Sequence, residues 1–236
     1  MGASVAIMQP YFLPYIGYFQ LLNAVDTFVV YDNVKFTKRG WINRNRILVE
    51  GTPTSFTVPV KKASDRLTIG ERRLADDYDQ QSAKVLRRIR SAYAKAPYFA
   101  KAMPVVERAF DRSSNSLFDL IHASLLRVCR YLRITTEMTV SSALGIDHAL
   151  RGQEKVLAIC ENVAADVYVN PIGGTDLYAR ETFARAGRDL RFLESGPITY
   201  RQFDHPFVPS LSIVDVMMFN SVERIRDFVE NWYALH

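Results

Sequence analysis

Short apolar runs alternate with segments of helical period along the 236-residue chain. Residues 4–9 read as a buried strand, and Pro10 and Pro14 then break the backbone into a turn over residues 11–14. Ile16, Phe19, Leu21 and Leu22 follow at helical spacing, Asp26 closes that helix, and residues 27–31 form a second apolar strand. Strand, loop, helix and strand within about thirty residues make a βαβ unit. A parallel sheet built on it places the loop after the first strand at the carboxyl edge, where open α/β sheets bind ligands.

Residues 32–46 are polar, with five basic residues and no acid after Asp32. Residues 47–60 predict a β-hairpin turning at Gly51-Thr52-Pro53, and the polar stretch 61–74 holds a short strand around Thr68 and Ile69. From Tyr78 the spacing turns helical over 79–96, 98–112 and 116–132, punctuated by Pro97 and by Ser113-Ser114-Asn115. Beyond Thr135, strands are expected over 137–141, 167–170 and 190–193, helices over 153–163 and 175–186, and an extended segment over 198–203. Residues 212–233 read as helical, with Ser212 and Asp215 in capping-box form ahead of apolar residues 216–219. The expected architecture is one α/β domain over residues 1–236. It has a Rossmann-like, mostly parallel sheet of about five strands, a β-hairpin extension and a helical segment near 79–132.

A chain that is 48% hydrophobic and 23% charged is neither disordered, collagen-like nor a coiled coil. The net charge of +5 suits an anionic partner, such as a nucleotide or phosphorylated sugar, and permits RNA contact. Cys129 and Cys160 sit in helical apolar patterns and are expected as reduced, buried thiols of a cytoplasmic protein. Two cysteines without clustered histidines exclude a disulfide framework and a structural zinc site, and no metal ligands are assigned. There is no signal-peptide pattern and no apolar run long enough for a membrane span.

Four segments carry candidate chemistry. Gln9, Pro10, Tyr11, Tyr15, Gly17 and Tyr18 belong to an aromatic turn leading into a helix N-terminus, whose free amides attract phosphate. The alternative is a turn that merely packs. Lys38, Trp41, Asn43, Arg44, Asn45 and Arg46 form a basic segment on the same sheet edge. There Lys and Arg clamp a diphosphate, Asn amides read sugar or base edges, and Trp stacks; a solvated loop is the plainer account. Asn170, Gly173 and Gly174 form a strand-to-helix turn, with Thr175 as its helix cap, able to hold an anion or simply to cap. Tyr200, Gln202, His205 and Ser212 lie in a polar loop. His205 in that loop reads as structural or solvated, His122 on a helix as packed, and Asp215 as a helix cap rather than a base. Gly-x-Ser-x-Gly, His-Glu-x-x-His and Cys/His pairings are absent, so the familiar hydrolase and zinc-protease signatures are missing.

Gln9-Pro10-Tyr11, residues 13–19, residues 41–47, residues 57–61, Asn170 to Gly174, and the tail residues 200–202 and 207–215 together resemble the WbqC-like protein family. That resemblance implies a bacterial O-antigen or lipopolysaccharide setting. It also implies a transferase that places an acyl or aminoacyl group, glycyl for the type member, on the amine of a nucleotide-linked amino sugar. An acyl carrier protein, an aminoacyl adenylate or an aminoacyl-tRNA would serve as donor; no cofactor is assigned. Under that scheme Lys38 and Arg44 hold phosphate, Asn45 positions the acceptor, and Asn43 and Asp32 are the candidate catalytic residues, Asp32 as base. A second resemblance is to nucleotidyltransferases of the His-x-Gly-His class, whose histidines would fall at Tyr15 and Tyr18. Tyrosines supply no imidazolium there, which leaves Lys38, Arg39, Arg44 and Arg46 to provide charge. A non-catalytic nucleotide- or RNA-binding protein is the third alternative.

Overall fold

The first strand alternates its side chains between two cores. A computed structural model describes residues 2–236. In β1 (Ser4–Met8), Val5 and Ile7 face one core while Ala6 faces the other, as the two-residue period of a strand requires. The same alternation separates Val29 from Phe28 and Val30 in β2 (Thr27–Val30). Both faces of the sheet are therefore covered, which is the condition for a parallel sheet. Helix α1 (Ile16–Asn23) joins β1 to β2, and β5 (Glu137–Val140) pairs parallel on β2's other side. The chain then crosses through α5 (Gly152–Asn162) to β6 (Val167–Pro171), which pairs with β1, and on through α6 (Arg180–Arg185) to β7 (Asp189–Ser195). The resulting order is β5-β2-β1-β6-β7-β8, with five parallel strands and an antiparallel β8 (Tyr233–Leu235). The direction of winding reverses beside β1, the switch point at which such sheets form their binding crevice.

Between β2 and β5 the chain inserts a hairpin, β3 (Arg44–Val49) and β4 (Thr52–Thr57), and three helices. These are α2 (Tyr78–Tyr93), α3 (Phe99–Ala109) and α4 (Leu117–Leu132), matching the expected helical segment. The hairpin turns at Glu50 and Gly51, with φ of 48° and 74°, one step before the expected turn. It also begins three residues earlier than expected, because Asn45 is buried and Arg44 pairs with Thr57.

Three other expectations are corrected. Residues 175–186 are not one helix: a 3-10 turn (Ile172–Leu177) precedes α6, and Tyr178 between them is extended. The segment 198–203 joins no sheet; it makes an isolated bridge from Gln202 to His205, and Phe203, at φ of 51°, leaves the extended region. Residues 212–233 divide into α7 (Ile213–Phe219) and α8 (Val222–Asn231), because Asn220 leaves the helical region and the Ser221 hydroxyl caps α8 by accepting from the Arg224 N–H.

Candidate functional site

Two prolines and a strained residue shape the loop after β1. Leu13 has φ of 45°, which is costly for a side chain of this kind. Its carbonyl accepts from Asn45 Nδ2 at 2.8 Å and from Ser212 Oγ at 2.7 Å. Phe12 N–H donates to the Ile42 carbonyl at 2.9 Å, and Ile213 N–H donates to the Pro14 carbonyl at 2.7 Å. The loop is thus tied to the hairpin on one side and to α7 on the other. Pro10 is buried within it, and the Gln9 carbonyl accepts from the Tyr18 hydroxyl at 3.1 Å.

This arrangement opens a cleft of about 290 Å³ lined by Tyr11, Pro14, Tyr15, Trp41, Asn45, Arg46 and Ser210. Tyr15 and Trp41 are 41% and 46% exposed, so two large rings stand free at its walls. The Tyr15 ring folds back over Gly17, where a Cβ would push it aside. The guanidinium carbons of Arg46 and Arg44 lie 5.4 Å and 5.8 Å from the centre of the Trp41 ring. These are cation–π distances.

Arg44 also lines a second groove, again of about 290 Å³, together with Lys38, Asn43, Lys61, Lys62 and Arg72. Arg72 is only 2% exposed. Its Nη2 donates to the Ser64 carbonyl at 2.9 Å, and its guanidinium lies 4.6 Å from the Phe36 ring centre. Its Nε has no hydrogen-bond partner, and no carboxylate pairs with it among the described residues. Burying a cation without a carboxylate is costly. The Asp65 and Glu71 carboxylates lie near enough to feel its charge but neither reaches ion-pair distance, and the exposed pairs Lys38–Asp65 and Lys61–Asp76 at 2.6 Å are worth little themselves. Nothing in the sequence distinguished Arg72 from the other basic residues of its polar stretch.

The remaining predicted residues lie elsewhere. Asn43 is buried in the wall of the cationic groove, its Nδ2 donating to the Val58 carbonyl at 2.8 Å. Asp32 lines neither cleft; its Oδ1 accepts from the Ser142 N–H at 2.9 Å. Tyr15 and Tyr18 do not converge, since Tyr18 is buried in the core while Tyr15 stands at the cleft wall. Asn170 accepts from the Tyr168 hydroxyl at 3.1 Å, and Gly173 and Gly174 lie in the 3-10 turn after β6. These three share the sheet's carboxyl edge but line neither cleft.

Tyr200, Gln202 and Ser212 support the scaffold. The fully buried Asp215 carboxylate accepts from the Tyr200 hydroxyl at 2.6 Å, Gln202 Nε2 at 2.7 Å and the Tyr93 hydroxyl at 2.8 Å. Ser212 caps α7 by accepting from Val214 N–H, but Asp215 turns inward instead of reaching back as a capping box would. Burial holds the Asp215 carboxyl above the usual carboxylate range, against the three donors that pull it down. Tyr93 joins this network unforeseen; helical spacing had marked it only as apolar.

Cys129 and Cys160 are buried and unpaired, and burial pushes both thiols up to about 12. Among the described residues no three His, Cys, Asp or Glu side chains cluster as metal ligands. No helix among them is long and apolar enough to cross a membrane.

A twisted parallel sheet wound in both directions from β1, with helices on both faces, is a Rossmann-like α/β architecture. Within that class, residues 9–227 match the model of the WbqC-like protein family, and the chain belongs to this family. It is similar to an uncharacterized protein of Mycobacterium tuberculosis, 29% identical over 229 residues, covering 96% of this chain and 97% of that one. No solved structure matches.

Proposed function

We propose that the protein binds a nucleotide-linked amino sugar across the Trp41 cleft and the Arg72 groove, and acylates or aminoacylates its amine. The observation that carries this reading is Arg44, whose guanidinium flanks the Trp41 ring and also lines the cationic groove. Aromatic faces suit a base or sugar ring, and guanidinium groups suit a diphosphate. One ligand that joins these chemistries is a nucleoside diphosphate sugar. No carboxylate or imidazole lines either cleft, so the base role first given to Asp32 has no geometric support. Instead, Arg44, Lys62 and Arg72 disfavour a further cation nearby and so favour the neutral, nucleophilic form of the acceptor amine. Asn45 holds the cleft wall in place through Leu13, and Asn43 anchors the groove wall through Val58. The activated donor would be a carrier-protein thioester, an aminoacyl adenylate or an aminoacyl-tRNA. A bacterial surface-polysaccharide pathway is the setting that the family resemblance implies.

The absence of a carboxylate or imidazole from both cleft walls also favours a second reading, ligand binding without turnover. Thermal unfolding against dTDP- and UDP-linked amino sugars, ATP with magnesium, and tRNA tests both. A bound ligand at 100 times its Kd adds about 2.7 kcal/mol, or roughly 5–10 °C in Tm. The sugar nucleotides should produce this shift, and Trp41→Ala and Arg44→Ala should each reduce it. Binding with no acylated sugar detected by mass spectrometry, with each donor class supplied, would leave the binding-protein reading. A shift with ATP and magnesium alone would replace both with nucleotidyl transfer.

A further inference from the structure

A separate crevice lies at the carboxyl edge of the sheet, between the end of β2 and the start of α5. It measures about 420 Å³, and its walls include Tyr31, Lys35, Arg66, Arg151, Lys155 and Tyr178. Lys155 is only 3% exposed, yet it has no ion pair and no hydrogen-bond partner among the described residues. Its stem is buried along α5 and its ammonium sits 5.2 Å from the centre of the Tyr31 ring, at the crevice wall. Asp32 and Asp147 are the carboxylates near enough to influence it, and neither reaches ion-pair distance. Asp32 is already engaged by the Ser142 N–H, and Glu154 in the first turn of α5 is exposed. Burial, reinforced by Arg151, pulls the pKa of Lys155 down, and Asp32 and Asp147 offset this only in part.

The surroundings are built for an anion. The first turn of α5 has no side-chain cap, so its amides remain available. Gly152 opens the helix with φ of 52°, and the space where a Cβ would project is empty. Asn33 pins the approaching loop: it accepts from the Ser141 hydroxyl at 3.1 Å and donates to His148 Nδ1 at 3.0 Å. Lys35 and Arg66 are exposed and, among the described residues, unpaired.

We infer that this crevice binds the phosphoryl group of a small molecule, a phosphate monoester or a diphosphate, with Lys155 as the central cation and Arg66, Arg151, Lys35 and the α5 amides around it. A buried lysine whose ammonium meets the crevice without a partner, four cations in one crevice and an uncapped helix start all select a multiply charged anion. The inference does not depend on what the Trp41 cleft takes.

Calorimetric titration of the full chain with inorganic pyrophosphate and with glycerol 3-phosphate tests it and separates the two phosphoryl sources. The titrations are run in the Arg44→Ala background, which weakens the other cationic groove. Lys155→Met keeps the buried stem and removes the charge; it should weaken binding of the preferred probe at least about tenfold. Arg66→Ala should weaken it several-fold. Trp41→Ala should leave it unchanged. Unaltered binding in Lys155→Met, or no binding of either probe, overturns the inference, as does equally tight binding of acetate. If Lys155→Met fails to fold, the double variant Lys35→Ala with Arg66→Ala, both at exposed positions, carries the same test. Loss of binding in Trp41→Ala but not in Lys155→Met would place the anion in the other cleft and overturn the inference, while leaving the amino-sugar reading intact.

Discussion

Asp215 and Arg72 are both charged side chains sealed from water, at 0% and 2% exposure, but their surroundings differ. Three donors converge on the Asp215 carboxylate, from α2 (Tyr93) and the segment before α7 (Tyr200 and Gln202). Arg72 has one carbonyl and one aromatic ring, an idle Nε, and an open groove in front of it. A buried charge whose hydrogen bonds are filled holds segments together, whereas one left short faces a place where a counter-charge can arrive. The tail segment and the basic segment looked equally promising as chemistry in the sequence. Satisfaction of their polar groups separates scaffold from site.

That contrast can be broken at either end. Asp215→Ala strands Tyr93, Tyr200 and Gln202 and should cost about 3 kcal/mol, by analogy with hydrogen bonds to charged groups. Urea denaturation should show this as a lowered midpoint; a loss below about 1 kcal/mol would show that the network is not load-sharing. The same carboxyl sets a pH dependence. Its folded-state pKa is raised, so the folded chain takes up this proton before the unfolded chain does. The stability it contributes is present below the unfolded value and lost as pH rises through the folded one. Wild type should therefore gain on Asp215→Asn as pH falls from about 7 to about 4.

At the other end, Arg72→Met should change stability by no more than about 1 kcal/mol, since removing an incompletely compensated buried charge offsets the lost hydrogen bond. It should nevertheless weaken nucleotide-sugar binding about tenfold, measured by titration. A large stability loss with unchanged binding would move Arg72 to the scaffold. The smallest effect belongs to Lys38→Ala: its pair with Asp65 is exposed, so stability should stay within about 0.5 kcal/mol. Thermal unfolding checks that, and a larger drop would mean that the basic segment contributes to the fold.

The parallel core was legible because Val5, Ile7, Val29 and Phe28 are strand formers in runs too short for helices and flanked by turn residues. Strand β3 was read late because Arg44 and Arg46 look like loop residues; only pairing with β4 makes them strand. Strand β8 was missed because three residues carry no pattern, and their partner lies in β7, some forty residues earlier. At the site, Tyr11, Tyr15, Trp41 and Asn45 were singled out by composition and do share one cleft. Arg72 and Lys155 were not, because burial of a lone cation is a tertiary property. In the sequence Lys155 is one more lysine on an amphipathic helix.

The doubly clamped carbonyl of Leu13 has a consequence in time. Its two donors come from Asn45 and from Ser212, the second 199 residues further along. At roughly 5–20 residues per second, a ribosome needs about 10–40 s to add that stretch. Through that interval the Leu13 turn has at most one of its clamps, and Tyr15 and Trp41 lack the Ser210 part of their cleft wall. The cleft therefore matures late in synthesis, once the segment around Ser212 has emerged and docked.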